Sequence, residues 1–376
     1  MEYLTLSPSV LKWAAGEVGM TLHEVADKLS KKKQDDIVKG QLTESQITKL
    51  AKLTGVPLGY LFLEEPPQAR ALSIADFRTV QTADPLSRDF FETLEDIEFK
   101  QDWYRAYLEQ QGAEALKFIG GCAGHRDPKI IAGNIRAWLL LDDLNRKSLA
   151  SPDELYSELV TRVERIGILV FKNGIVGTNT RRPLSVKEFR GFALSDSLAP
   201  LIFINGADAP AAWVFTLAHE LAHLWLGQSG VSDANPRTSN TTEKLCNQVA
   251  AELLVPEQEF LTLWHKCQNE RLDKWASIDQ GRLQFRVSEL VIARRALDFG
   301  LVDFPVYEHF ATKRKGSSSG GDFYRTLNVR NSKTFSAKVA SLAAVGAISF
   351  REAGHLLKVA PNRVMTVYKR QREIPA

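Results

Sequence analysis

Short apolar runs at helical spacing fill the first 63 residues and predict a small, wholly helical bundle. One helix starts at Pro8 after Ser7, and the next at Thr21, which forms a capping box with Glu24. Further helical runs cover 42–53 and 55–63. Glu64-Glu65-Pro66-Pro67 then makes a stiff acidic exit, and 71–79 reads as an extended connector. Beyond it, Phe91, Leu94, Ile97, Phe99, Trp103, Tyr107 and Leu108 lay a broad apolar face along one long helix over 87–111. Two more helices are expected over 130–141 and 152–166. The period then shortens: 167–171, 191–195 and 201–205 are apolar strands, and Lys172-Asn173-Gly174 carries a hairpin signal leading into Ile175 and Val176. Helical spacing resumes over 216–227, 243–254, 259–264, 280–297 with Ser288 as N-cap, 335–345 and 349–368. The last run splits near Pro361 and opens on a second capping box, Ser349 with Glu352; residues 316–321 are a Gly/Ser linker.

The chemistry concentrates in two of these helices. His219 and His223 are four apart, so on a helix both imidazoles lie on one face and can reach one cation, with Glu220 beside them as a general base. Downstream, Glu243 opens a helix that Pro256 stops, and it can supply a third ligand while leaving a fourth position open. Asn247 follows one turn later on the same face, placed to hydrogen-bond the outer nitrogen of a liganding histidine. Taken alone, Glu243 also fits a solvated carboxylate at a helix N-terminus. Cys246 reads either as an oxidisable thiol beside the site or as a small apolar filler.

The run His219-Glu-Leu-Ala-His-Leu-Trp-Leu-Gly227, followed by Glu243-x-x-x-Asn247-x-x-Ala-x-x-Leu-Leu-x-Pro256, resembles the ImmA/IrrE family of zinc metallopeptidases. Gly191-Phe-Ala-Leu, Pro200-Leu-Ile-Phe-Ile-Asn205 and Phe215-Thr-Leu-Ala218 also look like that family, and the likeness covers about 155–300. Ala222 stands where members usually carry glycine. The resemblance implies a gluzincin arrangement with Zn²⁺ on His219, His223 and Glu243 and Glu220 as the base. It also implies a small sheet whose edge strand lines the cleft and accepts peptide substrates, expected at 189–195. An oxyanion-stabilising side chain is expected too, with His265, Tyr307 and His309 as candidates by residue type.

Composition adds charge asymmetry. The net charge of +3 hides a C-terminal segment, 313–376, with 13 Lys/Arg against 3 Asp/Glu, so a block of +10 is offset by −7 elsewhere. That segment suits either DNA, through a second helix-turn-helix, or docking against the peptidase body. The N-terminal bundle resembles an Xre/Cro helix-turn-helix domain. Its first 62 residues carry only 8 basic against 7 acidic side chains, a poor electrostatic footprint for DNA. The three cysteines, 122, 246 and 267, are too few and too scattered for a disulfide scaffold. With no secretory signal and no membrane-spanning run, a cytoplasmic protein without membrane contact is expected.

The expected fold is α+β and predominantly helical: a small-sheet zincin-like metallopeptidase domain flanked by an N-terminal Xre-like bundle and a basic C-terminal helical segment. The boundaries expected are 1–65, 66–312 and 313–376. The expected function is a zinc-dependent, site-specific endopeptidase acting on a regulatory protein such as a transcriptional repressor, with a partner encoded by a neighbouring gene. The competing expectation is an antitoxin-like or DNA-binding regulator that holds its partner uncut.

Overall fold

In the computed structural model, which describes residues 3–18, 20–67, 72–78, 86–232, 238, 240–312 and 323–373, the chain divides between Ser73 and Ile74 into two units. The Gly/Ser linker at 316–321 lies outside the described residues. The first unit packs helices Pro8–Gly16, Leu22–Leu29, Gln34–Val38 and Glu44–Thr54 around Leu11, Val25, Ile37, Ile47 and Leu50. The capping box of Thr21 and Glu24 forms, and Thr43 with Gln46 makes another. The bundle is not wholly helical, however. Strand β1 (Tyr3–Thr5) pairs antiparallel with β2 (Gln41–Thr43). Three-residue strands are too short for their alternation to register in the sequence. The ladder is possible because Gly40 takes a φ of 90° where a side chain would strike the Leu6 carbonyl.

The second unit is built on a five-stranded mixed sheet. Its strands are β3 (Ala75–Asp76), β4 (Leu169–Asn173), β7 (Gly191–Leu194), β8 (Leu201–Asn205) and β9 (Gly230–Ser232), in the order β3-β9-β7-β8-β4. β7 runs antiparallel to both neighbours, and the outer pairs are parallel. Both faces are buried, which is why these strands read as continuous apolar runs. Val170, Ala193, Ile202 and Ile204 face a large core with the helices Pro128–Leu139, Pro152–Arg165, Pro210–Leu226 and Thr241–Leu254. On the other face Phe192 and Phe203 stack at 4.9 Å and meet Phe90 and Phe189, while Phe171 packs on Phe335.

Two strand expectations are corrected. The Asn173-Gly174 hairpin does not form: β4 pairs parallel with β8, and a short antiparallel pair, β5 (Ile175–Val176) with β6 (Asn179–Pro183), follows. Gly174 serves close approach rather than reversal, since a Cβ there would lie 2.8 Å from the Ala207 nitrogen, and one on Gly206 would lie 2.9 Å from the Gly174 nitrogen. Nor is 189–195 an edge, because β9 and then β3 cover its outer side.

The helices Lys333–Ala344, Phe350–Leu357 and Val364–Glu373 fold within the second unit. They are tied to the long helix Arg88–Gln110 and to Pro152–Arg165. Glu164 accepts hydrogen bonds from the Lys333 and Thr334 amides, and Trp103 donates to Glu352 at 3.0 Å. That bond draws the Glu352 carboxylate away from its own helix start, so only the Ser349 half of that capping box is made. Buried Lys100 donates to Asp96 at 2.7 Å and to Asn331 at 3.1 Å, and Lys358 reaches the other Asp96 oxygen at 2.8 Å. Burial pulls the Lys100 pKa down against the pull of Asp96, so the cation needs its carboxylate. Asp96→Ala is expected to cost about 3 kcal/mol by stranding that charge. Urea unfolding should show it, and adding Lys100→Met should recover most of the loss. An unchanged midpoint in the single variant would mean the pair contributes nothing.

Candidate metal centre

The helix Pro210–Leu226 starts with proline in its first turn and ends at Gly227, whose φ of 71° closes it. From Trp213 onward it is apolar on nearly every side and almost wholly buried, as a helix enclosed by its neighbours should be. Trp225 fixes its far end by stacking on Phe118 at 4.7 Å and donating to Asn134 at 2.7 Å. The second helix, Thr241–Leu254, is capped by Asn240, which accepts from the Thr242 and Glu243 amides. Glu243 therefore sits in the first turn, where the helix dipole favours a carboxylate.

Packing these helices together brings the three residues to one point. His219 and His223 face each other with their Nε2 atoms 3.1 Å apart; Glu243 Oε2 is 3.2 Å from the first and Oε1 3.0 Å from the second. All three side chains are fully buried. Asn247 Oδ1 lies 3.1 Å from His219 Nδ1. A proton on Nδ1 satisfies that contact and leaves Nε2 a lone pair aimed inward. Neither Glu243 oxygen completes a hydrogen bond despite its proximity to the imidazoles. The donor atoms thus crowd round one point, where a divalent cation would satisfy them together. Among the described residues this is the only group of three or more His, Cys, Asp or Glu placed to share an ion.

The electrostatics follow. Burial opposes the Glu243 charge, but the two imidazoles outweigh it and hold the carboxyl down at about 2. Burial also opposes charge on His219, and the adjacent Glu243 overcomes it and raises the pKa. Glu220 is raised, first by its own burial. Its Oε1 accepts from Ser232 Oγ at 2.5 Å, while Oε2 has no hydrogen-bond partner and is available for a proton. Burial pushes the Cys246 thiol well up, which fits the filler reading.

Three contributors were not legible in advance. Ser232 follows no spacing rule. Gly191 admits the base: a Cβ there would come within 3.0 Å of Glu220 Oε1 and 2.8 Å of Thr216 Cγ2, and glycine inside an apolar strand was the available signal. Phe77 stacks on His223, centroids 5.1 Å apart and planes 10° from parallel. The oxyanion candidates are engaged elsewhere: His309 packs on Trp275, Tyr307 against Phe304 beneath Arg294, and His265 is exposed on Glu257–Asn269. None of these contacts joins them to the metal group.

A buried His-His-Glu set with a neighbouring acid has the composition of a metallopeptidase centre. Residues 163–297 match the family model of the IrrE N-terminal-like domain, Peptidase_M78, a metal-dependent family. The match spans β4 to β9 and both helices of the centre, and it supports a metallopeptidase-type function of the ImmA/IrrE kind. No curated protein and no solved structure matches the chain significantly. Among the described residues, no helix is long and apolar enough to cross a membrane.

Chelation is expected to lower the melting temperature by several degrees, since a cation at a hundredfold excess over its Kd contributes about 3 kcal/mol. Differential scanning calorimetry with and without chelator measures this, and identical traces would argue against a bound ion. Asn247→Ala should weaken metal affinity about tenfold to a hundredfold by releasing the His219 ring. Competition against a chelating dye reads the constant, and an unchanged value would show that the ring is held by packing alone.

Proposed function

We propose that this protein is a zinc-dependent endopeptidase that cuts a regulatory protein, such as a transcriptional repressor, at a defined site. The observation that supports it is the convergence of His219, His223 and Glu243 beside Glu220, whose outer oxygen is unbonded. Two imidazoles and one carboxylate suit Zn²⁺, and such a set leaves a fourth position for reactant. Bound there, zinc supplies a Lewis acid that acidifies water and polarises a carbonyl. Glu220 takes the proton from the attacking water on Oε2 and delivers it to the leaving amine, so the residue ends the cycle as it began. Ser232 holds Oε1 and fixes the orientation of the other oxygen. Asn247 keeps the His219 lone pair pointing inward. The transcription link rests on the Xre-like reading of the N-terminal unit, and the substrate is sought in the product of a neighbouring gene.

Co-expression with that product, followed by intact mass, provides the test. Wild type should yield discrete fragments, and Glu220→Gln should lower their formation about a hundredfold or more. Equal cleavage by both would remove Glu220 from the reaction. A tight, uncut complex formed equally by both would favour the antitoxin-like reading instead.

A further inference from the structure

The free side of β9 does not face solvent in this protein. Residues Ala75 and Asp76 lie along it in parallel register with Gly230 and Val231, and the Ala75 and Phe77 amides donate to the Ser229 and Val231 carbonyls at 3.3 and 3.0 Å. The segment is short, and both strand residues are exposed, so little apolar surface holds it in place. Its anchor is Phe77, whose half-buried ring lies flat on the ring of buried His223. Arg78 fastens the far end, pairing with Asp76 at 2.8 Å and donating to the Glu188 carbonyl at 3.3 Å. β9 is shaped to receive that ring. A Cβ on Gly230 would fall 2.2 Å from Phe77 Cε2 and 2.9 Å from the Ala75 carbonyl oxygen. The backbone of Gly230 is ordinary, so glycine is needed there for room and not for a turn.

We propose that the outer edge of β9 is the peptide-binding edge of the metal centre, and that residues 74–78 occupy it as an internal pseudosubstrate strap. This rests on the peptidase reading and adds its regulation. An extended peptide can add to that edge through backbone hydrogen bonds only where the strap has left it. The peptide that succeeds is one that returns an aromatic side chain to the His223 ring and to the space above Gly230. Release of the strap is then the activating event, and the specificity of the edge is written in Ile74-Ala75-Asp76-Phe77-Arg78 itself.

The test uses the full-length, zinc-loaded protein and follows the rate of zinc transfer to a colorimetric chelator in excess. Phe77→Ala removes the anchor, and Gly230→Ala unseats the strap while leaving its own side chains intact. Each should release zinc about tenfold faster or more than wild type, as local opening becomes easier. A synthetic peptide, Ile-Ala-Asp-Phe-Arg, added to the Phe77→Ala variant should slow release toward the wild-type rate, and the same peptide with alanine for phenylalanine should not. Unchanged rates in both variants would overturn the strap, as would a peptide without effect; that second arm also excludes a variant that is merely unfolded. The readout is independent of catalysis. Protected zinc without any cleaved partner would leave the strap standing and sink the peptidase reading, whereas cleavage with unprotected zinc would do the reverse. A protein that takes up no zinc would take both down.

Discussion

Two imidazoles and a carboxylate meet at one point inside the buried protein interior, and that constraint organises the second unit. Without a cation, burying a carboxylate against two nitrogen lone pairs costs several kcal/mol. The fold therefore needs rigid supports that hold these side chains in one arrangement. A helix buried on all sides carries the histidines, a capped helix start carries the glutamate, and a sheet covered on both faces backs them. Asn247 and Ser232 set the direction in which the polar atoms point.

The helical parts of this arrangement were readable from residue spacing, because helices declare themselves locally. Ser87, Ser151, Ser288 and Ser349 all cap helices where a polar residue precedes an apolar period. The candidate site was readable for the same reason: His219, Glu220 and His223 share one turn, and Glu243 and Asn247 share another. Pairing between distant strands leaves a weaker trace. Asn173-Gly174 is a strong turn signal by composition, yet β4 finds its partner in β8, about thirty residues on, because burying Val170 and Phe171 on opposite faces outweighs a local turn. β3 is two residues long, and its role depends on a ring that meets β9 more than 150 positions away in sequence. No periodicity reports that kind of contact.

The basic C-terminal segment shows how charge counts mislead when partners are left out. Its Lys358 is directed at Asp96, so part of the positive charge faces inward onto the body of the second unit, and the Lys333 backbone amide is held by Glu164. Glu352 leaves its capping role for Trp103. These are contacts between segments more than 160 residues apart, and they make the last helices a wall of the core that holds Phe335.

Gly191 carries a consequence for how the helix meets the sheet. The strand position can hold nothing larger because the Thr216 methyl, the Phe203 carbonyl oxygen and the Glu220 carboxylate all lie within 3.0 Å of where a Cβ would stand. Glycine weakens a strand, and here that weakness accompanies the close approach of the helix that carries the acid. Exchanging Glu220 alone would not free the position, since the Thr216 methyl and the Phe203 carbonyl would still block a side chain at 191. The glycine is therefore a spacer between helix and sheet: it sets how near the histidine-bearing helix can lie to the strand, and a side chain there would have to push that helix, with the group it carries, out of place.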